Sequence, residues 1–159
     1  MLVEDGSAPE PVSGVRGVYK ALGSRERLSL RVLVPVYNER HVVETSLRRV
    51  LDLVHPLIRD LQVIVVDDCS TDGTSAILDR LADEDDRMLL IRHEKNRGKG
   101  AALRTAIAHA TGDISVCHDA DLEYNPHDFA ALLTPILTGK SRVSYGYRDL
   151  SSQTRVYRL

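Results

Sequence analysis

Apolar residues fall into two alternating rhythms along the chain. From Leu30 to Val36, Leu61 to Val66, Met88 to Ile91 and Ile114 to Cys117 they form short, nearly unbroken runs. Such runs mark strands buried on both faces of a parallel sheet. Between them the period lengthens. Val43, Leu47, Val50, Leu51 and Val54 recur every three or four residues and predict an amphipathic helix that ends before Pro56. Ile77, Leu78 and Leu81 predict a second helix, with Ser70 or Thr71 as its cap. Leu103, Ala106, Ile107 and Ala110 predict a third, stopped by Thr111-Gly112. A fourth runs from Asn125-Pro126 to about Leu137, with Pro135 as a kink or early end, and Arg142 to Tyr147 is the last expected strand. Strand and helix alternate over short connections, which implies an α/β fold of three layers, α/β/α, around a mostly parallel sheet with right-handed crossovers.

Residues 1–29 break this rhythm. Glycines and prolines lie among small and charged residues with no sustained period, so a flexible lead-in is expected there and one domain over 30–159. A length of 159 residues suits a single domain with a real core. With 43% apolar and 28% charged residues the composition is that of an ordinary globular protein, and a net charge of −2 gives no sign of a nucleic-acid surface. There is no run of eighteen apolar residues and no basic start followed by an apolar block, so neither a membrane span nor a secretory signal is expected. Cys69 and Cys117 suggest neither a disulfide framework nor a zinc site, and a reducing cytoplasmic setting is the default.

Polar clusters sit where strands end. In open α/β sheets ligands bind beyond the carboxyl ends of the strands, and three such ends carry Tyr37-Asn38-Glu39, Asp67-Asp68 and Asp119-Ala120-Asp121. In an extended chain Asp119 and Asp121 face the same way and Ala120 faces back. With Glu123 two residues on, they offer an oxygen-rich pocket to a hard cation such as Mg²⁺ or Mn²⁺. An isolated Asp-x-Asp is more often a solvated loop; Glu123 also suits the positive end of the helix that follows. Asp67 and Asp68 point in different directions, so one of the two faces the cleft, where a carboxylate accepts from a nucleobase N–H or a ribose hydroxyl. The alternative is that they cap the next turn, with Asp72-Gly73 supplying turn chemistry. Asn96-Arg-Gly-Lys-Gly100 brings backbone and cations, Lys99 among them, close to a ligand. Neither a P-loop nor a G-x-G-x-x-G fingerprint is present.

Taken together, Val32-Leu-Val-Pro-Val-Tyr-Asn-Glu39, Val65-Val-Asp-Asp-Cys-Ser-Thr-Asp-Gly-Thr74, Asn96-Arg-Gly-Lys-Gly-Ala-Ala-Leu-Arg104 and Asp119-Ala-Asp-Leu-Glu123 resemble the successive motifs of family 2 glycosyltransferases. The likeness is to the polyprenyl-phosphate, dolichyl-phosphate mannosyltransferase-like branch, over about Leu30 to Arg148. It implies a GT-A, Rossmann-like nucleotide-sugar-binding fold and an inverting, divalent-metal-dependent transfer of a hexose from a GDP- or UDP-sugar to a lipid phosphate. The setting it implies is the cytoplasm or the cytosolic face of a membrane, with peripheral contact. By position, Pro35, Tyr37 and Glu39 line the base and ribose pocket and Asp67 or Asp68 reads the base. Lys99 and Ala120 belong with these substrate-binding residues. Asp119 contacts the ribose or a metal water, Asp121 ligates the metal, and Glu123 stands where relatives often have a further ligand. Arg148 falls where relatives carry a phosphate-contacting Arg in Gly-Ser-Arg; here the motif is Gly146-Tyr147-Arg148. Relatives continue beyond this point, so turnover by these 159 residues alone is expected to be weak or absent. The competing expectation is a non-catalytic module that holds a nucleotide-sugar or docks to a partner.

Overall fold

A computed structural model describes residues 28–146. They form a four-stranded parallel sheet in the order β3-β2-β1-β4. The strands are β1 (Leu28–Val36), β2 (Ile58–Asp67), β3 (Met88–Arg92) and β4 (Ile114–Cys117). The helices are α1 (Val43–Leu51), α2 (Thr74–Glu84), α3 (Lys99–His109) and α4 (Phe129–Leu137), the last preceded by a 3₁₀ turn, Pro126–Asp128. The α/β layering expected from the sequence is present.

The strand order explains the layers. Steps from β1 to β2 and from β2 to β3 run one way, and the step from β3 back to β4 runs the other. Right-handed crossovers then place α1 and α2 on one face and α3 on the opposite face. On the first face Leu30, Val32, Val34, Val63 and Val65 pack with Val43, Leu47, Leu78, Leu81, Phe129 and Leu133, all buried. On the second, Leu33, Ile64 and Val66 meet Ala102 and Ala106 of α3. Reversal of direction leaves a crevice between the carboxyl ends of β1 and β4, the switch point at which open α/β sheets bind ligands.

Several local expectations are corrected. β1 begins at Leu28, two residues early, because Ser29 is tied to Asp113 through its N–H and its hydroxyl, each 2.8 Å from Oδ2. α1 ends at Leu51, which leaves Val54 89% exposed. Neither Ser70 nor Thr71 caps α2. The cap position is Gly73, with a φ of 99°, and Asp72 just before it braces the first turn, its Oδ1 accepting from Thr74 N–H at 3.0 Å and from the Thr74 hydroxyl at 2.6 Å. Asn125 starts the last helical segment as expected, its Oδ1 accepting from His127 N–H. Pro135 sits inside α4 near its end, and its carbonyl accepts from Lys140 and Ser141 N–H. Residues 142–146 form no strand, and Val143 and Tyr145 are 55% and 88% exposed, since no described strand pairs with them. Tyr147 and Arg148 lie outside the described residues, as does the lead-in up to residue 27. Among the described residues no helix is long and apolar enough to cross a membrane.

Candidate functional site

Three strand ends and one helix start converge on a cavity of about 400 Å³. β1 supplies Pro35, Val36, Tyr37 and Glu39, and the turn after β4 supplies Asp119, Ala120 and Asp121. Asp68 enters from β2, and Asn96, Gly98, Lys99 and Ala102 from the loop before α3 and its first turns.

The loops that hold this rim are locked to each other. Asn38 takes a left-handed φ of 56°, a conformation Asn tolerates better than most residues. Its N–H donates to Ser70 Oγ at 3.0 Å, and its Oδ1 accepts from Thr71 N–H at 2.8 Å. Glu39 N–H donates to Thr74 Oγ1 at 2.9 Å and Arg40 N–H to Asp72 at 3.2 Å. The loop after β1 is thus pinned to the loop after β2, and Tyr37 and Glu39 are held at the cavity wall.

The adjacent aspartates of β2 part ways. Asp67 is fully buried and faces away from the cavity. Its carboxylate accepts from Ser70 N–H, the Ser75 hydroxyl and Arg92 Nε, and it is not among the residues that line the cavity, where it was expected as an alternative to Asp68. Asp68, also buried, lines the cavity. It accepts from His93 Nδ1 at 2.6 Å and from the backbone N–H groups of Arg97 and Gly98 at 2.9 and 2.7 Å. Burial alone would raise this carboxyl, but the bonds from His93 and the two amides outweigh it and hold it below its usual range. His93 Nε2 in turn meets Thr105 Oγ1 at 2.9 Å.

Across the cavity Lys99 Nζ lies 2.7 Å from Asp119 Oδ2, and that bond raises the Lys99 ammonium against the opposing effect of burial. Asp121 is exposed on the rim, with Oδ1 accepting from Glu123 N–H at 3.0 Å. Asp119 and Asp121 therefore share the cavity, but Ala120 lines it with them and does not face back, because residues 120 and 121 lie in a turn and not in an extended chain. Glu123 does not share it: it lines a second hollow of about 490 Å³ with Arg49, Asp52 and His127. The cause is Leu122, whose left-handed φ of 64° turns the chain after Asp121. The three carboxylates expected to share one ion are thus not gathered, and among the described residues no three acids, imidazoles or thiols form a ready-made cage.

Glu39 is raised above the ordinary carboxylate value, first by burial and then by the fields of Asp121, Asp72 and Asp119. Sequence reasoning missed His93 and Thr105, although His93 follows the end of β3 directly beside the end of β2. It also missed His118, which is buried with Nε2 3.2 Å from Ser46 Oγ and Nδ1 without a partner. Burial lowers the His118 imidazole, opposed by the charges of Asp119 and Asp121.

The arrangement was compared with known proteins. The family model described as glycosyl transferase family 2 matches residues 31–158. The chain belongs to this family. An undecaprenyl-phosphate 4-deoxy-4-formamido-L-arabinose transferase of Aeromonas hydrophila is 33% identical over 109 residues, 68% of this chain and 33% of that protein. The mannosyltransferase PcManGT of Pyrobaculum calidifontis, solved with GDP-Man and Mn²⁺, superposes with a TM-score of 0.60 at 35% identity, covering 70% of this chain and 33% of that one. S. aureus TarS 1-349, solved with UDP-GlcNAc, gives a TM-score of 0.56 at 28% identity over 66% of this chain and 31% of that one. The chain spans about a third of the length of each of these proteins. These structural neighbours share the GT-A fold seen here.

PcManGT was solved with Mn²⁺, and in this chain two of the expected ligands, Asp119 and Asp121, share one cavity whose oxygens suit a hard cation. Hard cations take carboxylate oxygens, and Mg²⁺ in particular keeps waters and substrate phosphates in its remaining places. Asp119 already binds a cationic group, the Lys99 ammonium.

Proposed function

We propose that the cavity binds a nucleotide-sugar together with Mg²⁺ or Mn²⁺, and that the protein acts in the inverting transfer of a hexose to a polyprenyl phosphate at the cytosolic face of a membrane. One observation supports this most: acids from separate strand ends, Asp68, Asp119 and Asp121, share one cavity with Lys99. In this reading Pro35, Tyr37 and Glu39 line the base and ribose, Asp68 accepts from the base, and Asp119 and Asp121 hold the cation. Lys99, at the first position of α3, exchanges Asp119 for a phosphate oxygen, aided by the positive end of that helix. Arg148 completes the phosphate contacts. The ion supplies positive charge against which a nucleoside diphosphate can leave.

A lipid phosphate explains why no general base is required. With a second phosphate pKa of about 6, the attacking oxygen is already largely ionised near neutral pH. A sugar hydroxyl would need a positioned carboxylate. The test is transfer of labelled sugar from GDP- and UDP-hexoses to a polyprenyl phosphate, with Mn²⁺ and with EDTA. The expected result is a labelled lipid that EDTA abolishes. Transfer indifferent to EDTA, or transfer only to a sugar hydroxyl, would overturn the reading; binding without any transfer would leave a nucleotide-sugar-binding module.

A further inference from the structure

The two structural neighbours described above were solved with a guanine and a uracil nucleotide-sugar, so family membership leaves the base open. The surroundings of Asp68 bear on it. A carboxylate offers about four lone-pair sites on two oxygens. Oδ1 accepts from His93 Nδ1 at 2.6 Å and from Arg97 N–H at 2.9 Å. Oδ2 accepts from Gly98 N–H at 2.7 Å and shares the Arg97 N–H at 3.1 Å. One site, on Oδ2, is left for a ligand.

Uracil and guanine ask different things of such a group. The pairing edge of uracil shows one N–H, at N3, between two carbonyls. That of guanine shows two adjacent donors, at N1 and N2, which a free carboxylate takes with both oxygens. From the occupied lone pairs of Asp68 we propose that the cleft selects a uracil-type base over guanine, with His93 as the residue that enforces the choice by occupying Oδ1. Guanine would leave a donor without a partner in a partly dry pocket, and such a group costs more than a missing contact. Asn96 also lines the cavity, and its Oδ1 is bonded to Gly98 N–H at 3.1 Å, which leaves its NH₂ to donate to a base carbonyl. His93 is placed firmly: it is 8% exposed, its N–H donates to Asp67 carbonyl at 2.9 Å, and Thr105 holds its far nitrogen. It is a positioning residue, acting on the ligand through Asp68.

This inference rests on the reading of the cavity as a nucleotide-sugar site, and one experiment separates the two. UDP and GDP are titrated by calorimetry into the whole chain with Mn²⁺ present. Both carry the same diphosphate, so their ratio isolates the base. The expected result is UDP binding tighter by about ten- to a hundredfold. Equal affinities, or tighter GDP, would overturn the base assignment and leave the nucleotide site standing; no binding of either would remove both. His93→Leu, which frees Oδ1, is expected to bring the ratio towards one, whereas a merely structural loss weakens both ligands alike. His93→Asn, which keeps an N–H donor facing Asp68, is expected to restore it. An unchanged ratio in the leucine variant would overturn the role given to His93. The wild-type ratio carries the base assignment even if that variant does not fold.

Discussion

At the amino end of the sheet, Asp113 Oδ2 accepts from the Ser29 N–H and hydroxyl at 2.8 Å, and Arg31 reaches Asp60 at 2.9 Å and the Thr111 carbonyl at 3.0 Å. At the carboxyl end, Asp68, Asp119, Asp121 and Glu39 stand around a cavity of about 400 Å³. Both ends place aspartates on or beside β2 and β4: Asp60 and Asp113 at one, Asp68, Asp119 and Asp121 at the other. They differ in balance. The amino-end acid is held below its ordinary range by the Ser29 backbone and hydroxyl, its donors being already in place. At the carboxyl end Asp68 is likewise satisfied, but Glu39 is raised by burial and by neighbouring acids. A closed set of pairs contributes to stability alone, whereas a carboxylate raised by burial and by neighbouring acids works against stability, as groups at binding sites often do.

The sharpest way to break this contrast is at Gly112. A Cβ there would sit 2.9 Å from Arg31 Cγ and 3.1 Å from the Ser29 carbonyl oxygen, so side chain and backbone would both have to give. Gly112→Ala is expected to cost about 1–3 kcal/mol in urea unfolding, with nucleotide affinity unchanged in calorimetry. A matching loss of affinity would show that the two ends are not independent.

A smaller effect sharpens it from the other side. Because the folded-state carboxyl of Glu39 lies above its ordinary value of 4.5, its contribution to stability is present below that value and is lost as pH rises through the folded one. Near neutral pH, therefore, the ionised Glu39 works against the unliganded fold. Glu39→Gln is expected to raise the melting temperature slightly at pH 7 and to leave it nearly unchanged at pH 4. A lower melting temperature at pH 7 would mean that Glu39 has a stabilising partner.

How much of this was legible in the residues varies by element. Leu61 to Val66 declared β2 because a strand covered on both faces has no polar side to show. Val143 and Tyr145 carry an alternating pattern too, but alternation names a face without supplying a neighbouring strand, and both side chains are exposed. In α3 the expected stripe held Ala106, which is buried, and Ile107, which is 57% exposed, but not Ala101 and Ala102, which complete the buried side. Small residues let a helix lie close to a sheet, and hydrophobic periodicity weighs them too lightly. At the site, Asp119 and Asp121 were legible from their place just beyond β4. That Asp67 and Asp68 part ways was legible too; which of them faces the cleft was not, since it depends on β2 lying in register between Val36 and Arg92, which are far apart in sequence. Glu123 was misplaced because one left-handed residue, Leu122, breaks the extended geometry that the spacing assumed.

The central claim, that the carboxyl-end cavity grips a cation and a nucleoside diphosphate together, is tested most directly by calorimetry of UDP and Mn²⁺ against wild type and Asp121→Asn. The substitution keeps an oxygen for the Glu123 N–H and removes only the charge. Wild type is expected to bind UDP when Mn²⁺ is present and to lose binding in EDTA, and the variant to bind on the order of 100-fold more weakly. Binding of equal strength in the two proteins, or none in wild type, would contradict the account.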